Sequence, residues 1–475
     1  MSQRLGHRAI VLGGSMAGLL AARVLAESFA EVVIVDRDEL TGVTTARRGV
    51  PQGRHVHGLL ARGQQILEEL FPGFTSGATA AGIPTGDLGE LRWFFGGHRL
   101  KPSATGLICV SATRPMLESH VRARVAALPN VSLIERADIV GITTTRDNSR
   151  VIGARIHRHA KGSTEEALDA ELVIDATGRG SRTPVWLDEL GYGRPDEDRV
   201  KINISYTTRT YRLADESVLN GDLSINPVAT PAAPRGAFFS RIEDGKCALS
   251  LTGVLGDSAP TDPDGFLEYA RSLPVPDIYE IIRDAEPLSD AVVYRYLASV
   301  RRRYERLARF PKGFLVLGDA ACSFNPAYGQ GMTVAALEAM TLRDHLTRGM
   351  PEAAGFHQDI SRVIDVPWDM AVGGDLSYPQ VEGPRPLKVR IGNAYIAKVH
   401  AAATRDPEVT RAFMRVAGMV EAPTALMRPS MVLRVLRNGK PSESAPLPRP
   451  DSGPDSGPDS GPDSGPDEVR ASRAA

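Results

Sequence analysis

Cysteine is scarce: the 475-residue chain has three, Cys109, Cys247 and Cys322. They stand far apart, with no CxxC pair and no metal-like spacing. That excludes a disulfide scaffold and a cysteine metal site, and it points to reduced thiols in a cytoplasmic protein. Net charge is thin as well. Fifty-six basic against 57 acidic residues leave −1, so bulk charge offers nothing to nucleic acid. No run of about 18 apolar residues occurs, so no membrane-spanning helix is predicted; peripheral membrane contact stays open. No secretory leader is read ahead of the first apolar run, which begins within ten residues of Met1. His55 and His57 lack a third ligand at sensible spacing, so no metal is expected. What is present, 42% apolar residues over a length beyond one ordinary core, implies a globular chain of two or more lobes.

The stretch AIVLGGSMAGLLAARVLAESFAEVVIVDR, residues 9 to 37, carries the most information. An apolar run meets Gly13 and Gly14. A helical pattern with small residues on one face follows, then a second apolar run ending in Asp36 and Arg37. Strand, tight turn, helix, strand and an acid about twenty positions past the turn form the fingerprint of a dinucleotide-binding βαβ unit. Gly13 suits the sharp turn, and Gly18 lets helix and strand backbones approach. Ser15 stands where a second glycine is usual. The helix N-terminus offers free N–H groups and a positive dipole end to phosphates. Asp36 is placed to accept hydrogen bonds from a ribose.

Two later stretches repeat this grammar. LVIDATGRGSRT runs from Leu172 into Asp175, then turns through Gly178, Gly180 and Ser181. GFLVLGDAACSFNPAYGQGM runs from Gly313 into Gly318 and Asp319, loops through Pro326, Gly329 and Gly331, and opens a long helix from Met332. Ligands of α/β sheets gather at the carboxyl ends of strands. One large ligand touched by all three turns is the economical reading.

Other segments fill in around them. Arg47, Arg48, Arg54, His55 and His57 precede a helix over about 58–70, and read either as a cationic arm over the ligand or as a solvated basic loop. Residues 87 to 111 predict a hairpin turning at Gly96 and Gly97, whose Trp93, Phe94 and Phe95 line a pocket or fill a core. A helix opens near Thr113 with Pro115 in its first turn and Arg114 at its entrance. Residues 131 to 158 read as strands with an Asn-Ser turn. Residues 200 to 255 alternate as an antiparallel sheet with a turn at Asp244 and Gly245, placed to roof a substrate cavity. A helix over 264–284 is interrupted at Pro274 and Pro276. Residues 352 to 437 are helical, and Met414, Met419, Met427, Met431, Val432 and Leu436 give an apolar face that packs on the body, meets a membrane or gates substrate. Four DSGP units from Asp451 to Pro466 cannot form a core, so a disordered tail is expected from 438.

On GGSMAG with Asp36, DATGRGSRT from Asp175, GDAACSFNPAYGQGM from Gly318 and the arm RRGVPQGRHVH, the chain resembles the FAD-dependent monooxygenases with the para-hydroxybenzoate-hydroxylase type of fold. Within them it is most similar to the flavin epoxidases of squalene and of bacterial polyether polyenes. The likeness runs from about 8 to 437 and is weak over 200–300. It implies an α/β fold: a Rossmann-like FAD-binding domain of the three-layer GR2 type (1–85, 111–195 and 301–350), an inserted antiparallel-sheet substrate domain (86–110 and 196–300) and a C-terminal helical region (351–437). It implies FAD as cofactor, with Gly13, Gly14, Ser15, Ala17 and Gly18 at the pyrophosphate and Asp36 and Arg37 at the adenosine end. Arg48 joins them from the arm, and Arg114 reaches the ribityl and phosphate region. Asp175 and Gly178 lie in the segment linked to FAD and NAD(P)H. Asp319 holds a ribityl hydroxyl, and Gly331 and Met332 face the flavin pyrimidine. The catalytic element is the loop backbone at Pro326, Gly329 and Gly331, with no obligatory side chain. Ser15 departs from the pattern and puts its own phosphate contact in doubt.

The same likeness implies the reaction: O2 and reduced FAD form a C4a-hydroperoxide that passes one oxygen to a small apolar substrate, a polyene or an aromatic polyketide or terpenoid, in antibiotic-type secondary metabolism. NAD(P)H supplies electrons directly or through a flavin reductase partner. Similarity of the arm favours alkene epoxidation. Aromatic hydroxylation, where His55, His57 or Tyr328 would serve as base, remains the alternative, with a flavin-dependent reductase or a non-catalytic flavin-binding partner behind it. A flavin halogenase needs an early lysine and a Trp-x-Trp; the first lysine is Lys101 and no Trp-x-Trp occurs.

Overall fold

In a computed structural model describing residues 4–439, the first apolar run becomes Gly6–Leu12, the central strand of a five-stranded parallel sheet. Across that sheet the order is Phe314–Val316, Leu172–Asp175, Gly6–Leu12, Phe29–Val35, Val131–Ile134. Ile10, Val11, Ile34, Val35, Val173 and Leu315 are wholly buried. Continuous branched runs are what a parallel sheet covered on both faces requires. Register sets three strand ends side by side: Leu12 opposite Asp175, and Asp175 opposite Val316.

The helices Met16–Leu25 and Gly331–Arg348 pack against each other over this sheet. A three-stranded antiparallel sheet, Ala137–Thr144, Val151–Arg158 and Glu165–Asp169, completes the lobe, its Ala154 and Ile156 joining the same core. Thr113 caps the helix Arg114–Ala126 by accepting from the Met116 N–H. The arm differs from expectation at one point: Gly58–Leu59 is a short strand, and the helix begins only at Ala61.

A second, nine-stranded sheet forms the other lobe. Its long neighbours Val292–Arg302, Glu197–Arg212, Lys246–Gly253, Arg235–Ile242 and Ser224–Val228 pair antiparallel. One pairing departs from the expected pattern: Leu91–Phe95 lies parallel to Ser224–Val228. More than 120 residues separate the two strands, ample for a parallel crossover. Gly96 and Gly97, both at positive φ (57° and 79°), turn Leu91–Phe95 back into His98–Arg99. The helix expected over 264–284 is two, Pro263–Arg271 and Asp277–Ile282.

Helices Ala353–Asp375, Leu387–Ala403, Pro407–Ala417 and Pro429–Asn438 end the described chain. The expected common methionine face is divided. Met414 is buried, whereas Met427 and Leu436 are exposed. The DSGP repeats lie outside the described residues.

Candidate active site

The three aligned strand ends close on one another through their turns. Gly13 has φ of +102°, and a Cβ there would stand 2.5 Å from the Ala176 carbonyl oxygen. At Gly18 a Cβ would fall 1.8 Å from the Gly13 carbonyl oxygen. Gly318 (φ +66°) has room for a Cβ only 2.6 Å from the Ala17 methyl, and Gly178 (φ +78°) lies over the Asp319 Cβ. Turn one touches turn two, turn two touches turn three, and turn three touches the helix after turn one. At Gly13 and Gly18 backbone meets backbone too closely for any side chain, and at Gly178 and Gly318 the positive φ favours glycine.

A cavity of about 990 Å³ begins at these turns and extends to the antiparallel sheet. Gly13, Ser15, Ala17, Asp36, Arg37, Arg114, Gly178, Asp319, Pro326, Gly329, Gly331 and Met332 all line it. Four expected positions do not. Gly14 instead donates its N–H to Asp36 Oδ2 at 2.7 Å, and Gly18 acts through close packing. Arg48 is exposed and off the cavity, while its neighbour Arg47 lines it. Asp175 is fully buried: Oδ1 accepts from the Thr177 N–H (2.8 Å) and hydroxyl (2.6 Å), and Oδ2 from the Ser181 and Thr183 hydroxyls (both 2.5 Å). Its oxygens are spent on shaping the second turn and leave nothing for a ligand.

Ser15 does not cap its helix. Its hydroxyl donates to Glu118 Oε2 at 2.7 Å and accepts from Arg114 Nη2 at 3.0 Å. Glu118 also binds Arg47 at 2.6 Å and Arg122 at 3.5 Å. Burial pushes the Glu118 carboxyl up, but Arg114, Arg47 and the serine bond outweigh it and hold it below the usual range. Arg47 reaches on to Asp36 (3.4 Å) and Asp38 (3.1 Å) and so ties the arm across the first turn. Arg47 and Glu118 were not singled out as a pair from sequence, because 71 positions separate them.

Asp319 differs from Asp175. Its carboxylate accepts no hydrogen bond from a described residue, although it lines the cavity. Burial pushes its pKa up, against the pull of Arg114 and Arg179. Beyond it, Asn325 braces the loop: Oδ1 accepts from the Ala327 N–H at 3.0 Å, and Nδ2 donates to Asp375 at 2.8 Å. The Tyr328 hydroxyl donates to the same Asp375 oxygen at 3.3 Å. Burial pushes the Asp375 carboxyl up to about 7. Behind the third turn, Glu338 accepts the Gly318 N–H at 2.5 Å and is pushed by burial up to about 8.

The far wall comes from the antiparallel sheet: Trp93, Ser224, Asn226, Tyr206, Phe238 and Tyr294, with His55 from the arm. Of the aromatic run, Trp93 faces the cavity. Phe94 packs in the sheet's own core, and Phe95 stacks on His400 at 3.8 Å between centroids. Burial and Arg54 lower the His55 pKa to about 4; burial and Arg114 do the same for His57.

No family model matches the chain. Among solved structures, a flavoprotein/dehydrogenase from Cytophaga hutchinsonii is similar with a TM-score of 0.65, at 15% identity over 91% of this chain and 98% of that one. The p-nitrophenol 4-monooxygenase PnpA from Pseudomonas putida DLL-E4 is similar with a TM-score of 0.60, at 14% identity over 88% and 99%. At these identities the likeness shows the fold: an α/β flavoprotein architecture of parallel nucleotide sheet and antiparallel second sheet. In sequence, Protein Rv3254 of Mycobacterium tuberculosis (strain ATCC 25618 / H37Rv) is 34% identical over 435 residues, 87% of this chain and 90% of that protein. The chain belongs to the family of Protein Rv3254.

Proposed function

We propose that this chain is an FAD-dependent monooxygenase that inserts one oxygen atom from O2 into a small apolar substrate. The observation that carries the reading is the mutual closure of three glycine turns around one end of a large cavity. The residues fit the nucleotide. Gly178 leaves backbone bare beside the first turn, Gly13 and the small Ala17 line the same end of the cavity, and the helix from Met16 lacks a side-chain cap where the pyrophosphate would approach. Arg114 and Arg37 supply cationic partners. Asp36 takes the ribose, and Asp319 offers an unpartnered carboxylate to a ribityl hydroxyl. The N-terminus of the helix from Gly331 lines the cavity, where its dipole would favour negative charge on a bound ring.

Bound and reduced, the flavin supplies the oxygen-activating chemistry. The chain's own task is to bind the substrate, orient it and exclude water. Trp93, Phe238 and Tyr294 give the apolar wall, and the loop braced by Asn325 and Asp375 holds the near side. NAD(P)H is the proposed reductant, directly or through a flavin reductase.

Similarity of the arm favours epoxidation of an alkene, which needs only a positioned double bond. One observation supports hydroxylation of a phenol as a second reading. A phenol is activated by losing its proton. Asp375, pushed up to about 7, is poised to receive it through the Tyr328 hydroxyl. In that step the substrate proton passes to the tyrosine oxygen while the tyrosine proton passes to the carboxylate.

The visible absorbance spectrum of purified protein tests the cofactor. A yellow preparation that consumes O2 with NAD(P)H and a polyene or arene is expected. A colourless one that FAD cannot reconstitute rejects the reading. Asp375→Asn separates the two reactions, because it abolishes the pH dependence of phenol turnover and leaves alkene turnover within a few-fold.

A further inference from the structure

A pair of hydroxyls behind His55 fixes which ring nitrogen carries its proton. His55 Nδ1 lies 2.7 Å from Thr208 Oγ1. Thr208 Oγ1 lies 2.6 Å from Ser250 Oγ, its direct cross-strand partner. Ser250 Oγ accepts the Val56 N–H at 3.0 Å. All three side chains are buried.

The protons can be counted along this row. Suppose Ser250 donates to Thr208 and Thr208 donates to Nδ1. Every hydroxyl proton is then used, every oxygen accepts within its capacity, and the imidazole proton resides on Nε2. Suppose the row runs the other way. Nδ1–H donates to Thr208, Thr208 donates to Ser250, and the Ser250 proton finds no acceptor among the described residues. A buried donor left idle costs more than a hydrogen bond gains. The first direction also leaves one donor unpaired, the Nε2–H, but that ring lines the cavity whereas the Ser250 hydroxyl is sealed off from it, so the first direction wins.

The Nε2 side is different. It has no partner among the described residues, and the ring lines the cavity beside Tyr294 and Tyr206, at centroid distances of 5.5 and 6.1 Å. Burial and Arg54 keep the ring neutral at ordinary pH. His57 is the opposite tautomer. Its Nδ1–H donates to the His55 carbonyl at 2.8 Å, a group that can only accept, so its Nε2 carries a lone pair.

We propose that His55 is a specificity-determining hydrogen-bond donor, held in its Nε2–H form by Ser250 and Thr208, which selects a substrate bearing a carbonyl oxygen on an otherwise apolar frame. This rests on the cavity being the substrate site of the proposed monooxygenase. It also removes His55 from the bases considered for phenol deprotonation, because its outward nitrogen already carries a proton. The flavin ring bears carbonyl oxygens of the same chemistry, and the test separates that source.

The experiment is nitrogen-15 NMR of histidine-labelled full-length protein, with acetophenone as the carbonyl probe and ethylbenzene as its apolar control. Wild type should show a proton on His55 Nε2 and a bare Nδ1; a proton on Nδ1 overturns the proposal. In the flavin-loaded protein, acetophenone should shift the Nε2–H signal and ethylbenzene should not. No shift with acetophenone overturns the proposal, and so does a shift produced by FAD alone that acetophenone does not extend, which would assign the donor to the flavin. Thr208→Val should release the tautomer and cut the preference for acetophenone over ethylbenzene about tenfold, the share of a neutral hydrogen bond. An unchanged preference counts against the proposal. The tautomer reads independently of cofactor. A colourless protein with Nε2–H sinks the monooxygenase reading alone, and a yellow one with Nδ1–H sinks this one alone.

Discussion

The two ends of the cavity are built from different parts of the amino acid. At the parallel sheet the working surface is backbone: glycines at positive φ, a bare helix terminus and strand ends aligned by register. At the antiparallel sheet it is side chain: an indole, an amide and several rings gathered from strands far apart in sequence, with an imidazole from the arm. Backbone recognition tolerates almost no substitution, since a single Cβ meets a neighbouring carbonyl. Side-chain recognition tolerates exchange at the level of one hydrogen bond or one ring. Damage on the nucleotide side should therefore remove the protein or its cofactor, and damage on the far wall should alter selectivity.

Gly18→Ala is the strongest test of that contrast. Its methyl would stand 1.8 Å from the Gly13 carbonyl oxygen, against backbone that cannot swing away. A loss of roughly 4 kcal/mol or more is expected, in the range reserved for severe core and backbone clashes. The measurement is the soluble yield and the urea midpoint. A soluble variant with a wild-type midpoint would show that the first turn and the helix after it are not held together as described. Asp319→Ala comes next. It should leave the fold intact and lower flavin affinity roughly 10- to 100-fold, as removing a charged hydrogen-bond acceptor does. Equal flavin content in variant and wild type would remove Asp319 from the cofactor site.

The same contrast explains what the sequence disclosed. Gly13, Gly178, Gly318 and Gly329 were legible because a turn of defined φ accepts little else, Gly18 because helix and strand backbones approach there, and the flanking apolar runs named their strands. Local geometry writes itself into local sequence. Asp175 misled for a related reason: it ends a strand beside a glycine turn, as a ligand-binding acid would, yet four donors from its own turn saturate it. Arg48 and Arg47 are adjacent in a basic arm, and only the burial of one tells them apart. Glu118, Glu338 and Asp375 left no local mark, since each acquires its role from partners 20 to 103 positions away. The Ser250–Thr208–His55 row spans 195 positions and exists only once two strands have paired in register.

On the far wall, Tyr206→Phe should do less than Asp319→Ala. The Tyr206 hydroxyl is buried and has no hydrogen-bond partner among the described residues. Its loss relieves an unsatisfied group, so the melting midpoint should hold or rise slightly. If the hydroxyl awaits a polar atom of the substrate, KM should rise about tenfold while flavin content stays the same. A fall in flavin content would place Tyr206 on the nucleotide side and blur the division between the two ends.

The smallest effect is a pH slope to which the nucleotide side contributes through Glu338. Glu338 is pushed up to about 8, against an ordinary value of 4.5. Between those values the folded chain keeps a proton that the unfolded chain has lost, so stability falls as pH rises and levels off above about 8. His55 and His57, pushed down to about 4, act in the opposite sense and only below about 6.5. Asp375, at about 7, has largely finished titrating by pH 7.5. Burial also raises the thiols of Cys109, Cys247 and Cys322 from their ordinary value of 9.0, so they too lose stability over the same window. Between pH 7.5 and pH 9 the Glu338 share is about 1 kcal/mol, read as the difference between wild type and Glu338→Gln. Glu338→Gln keeps an oxygen for the Gly318 N–H without a titrating proton, so its thermal melts should coincide at the two pH values more closely than those of wild type. If both proteins lose the same amount, the proton lies elsewhere, and the third turn is held by an ordinary ionised carboxylate.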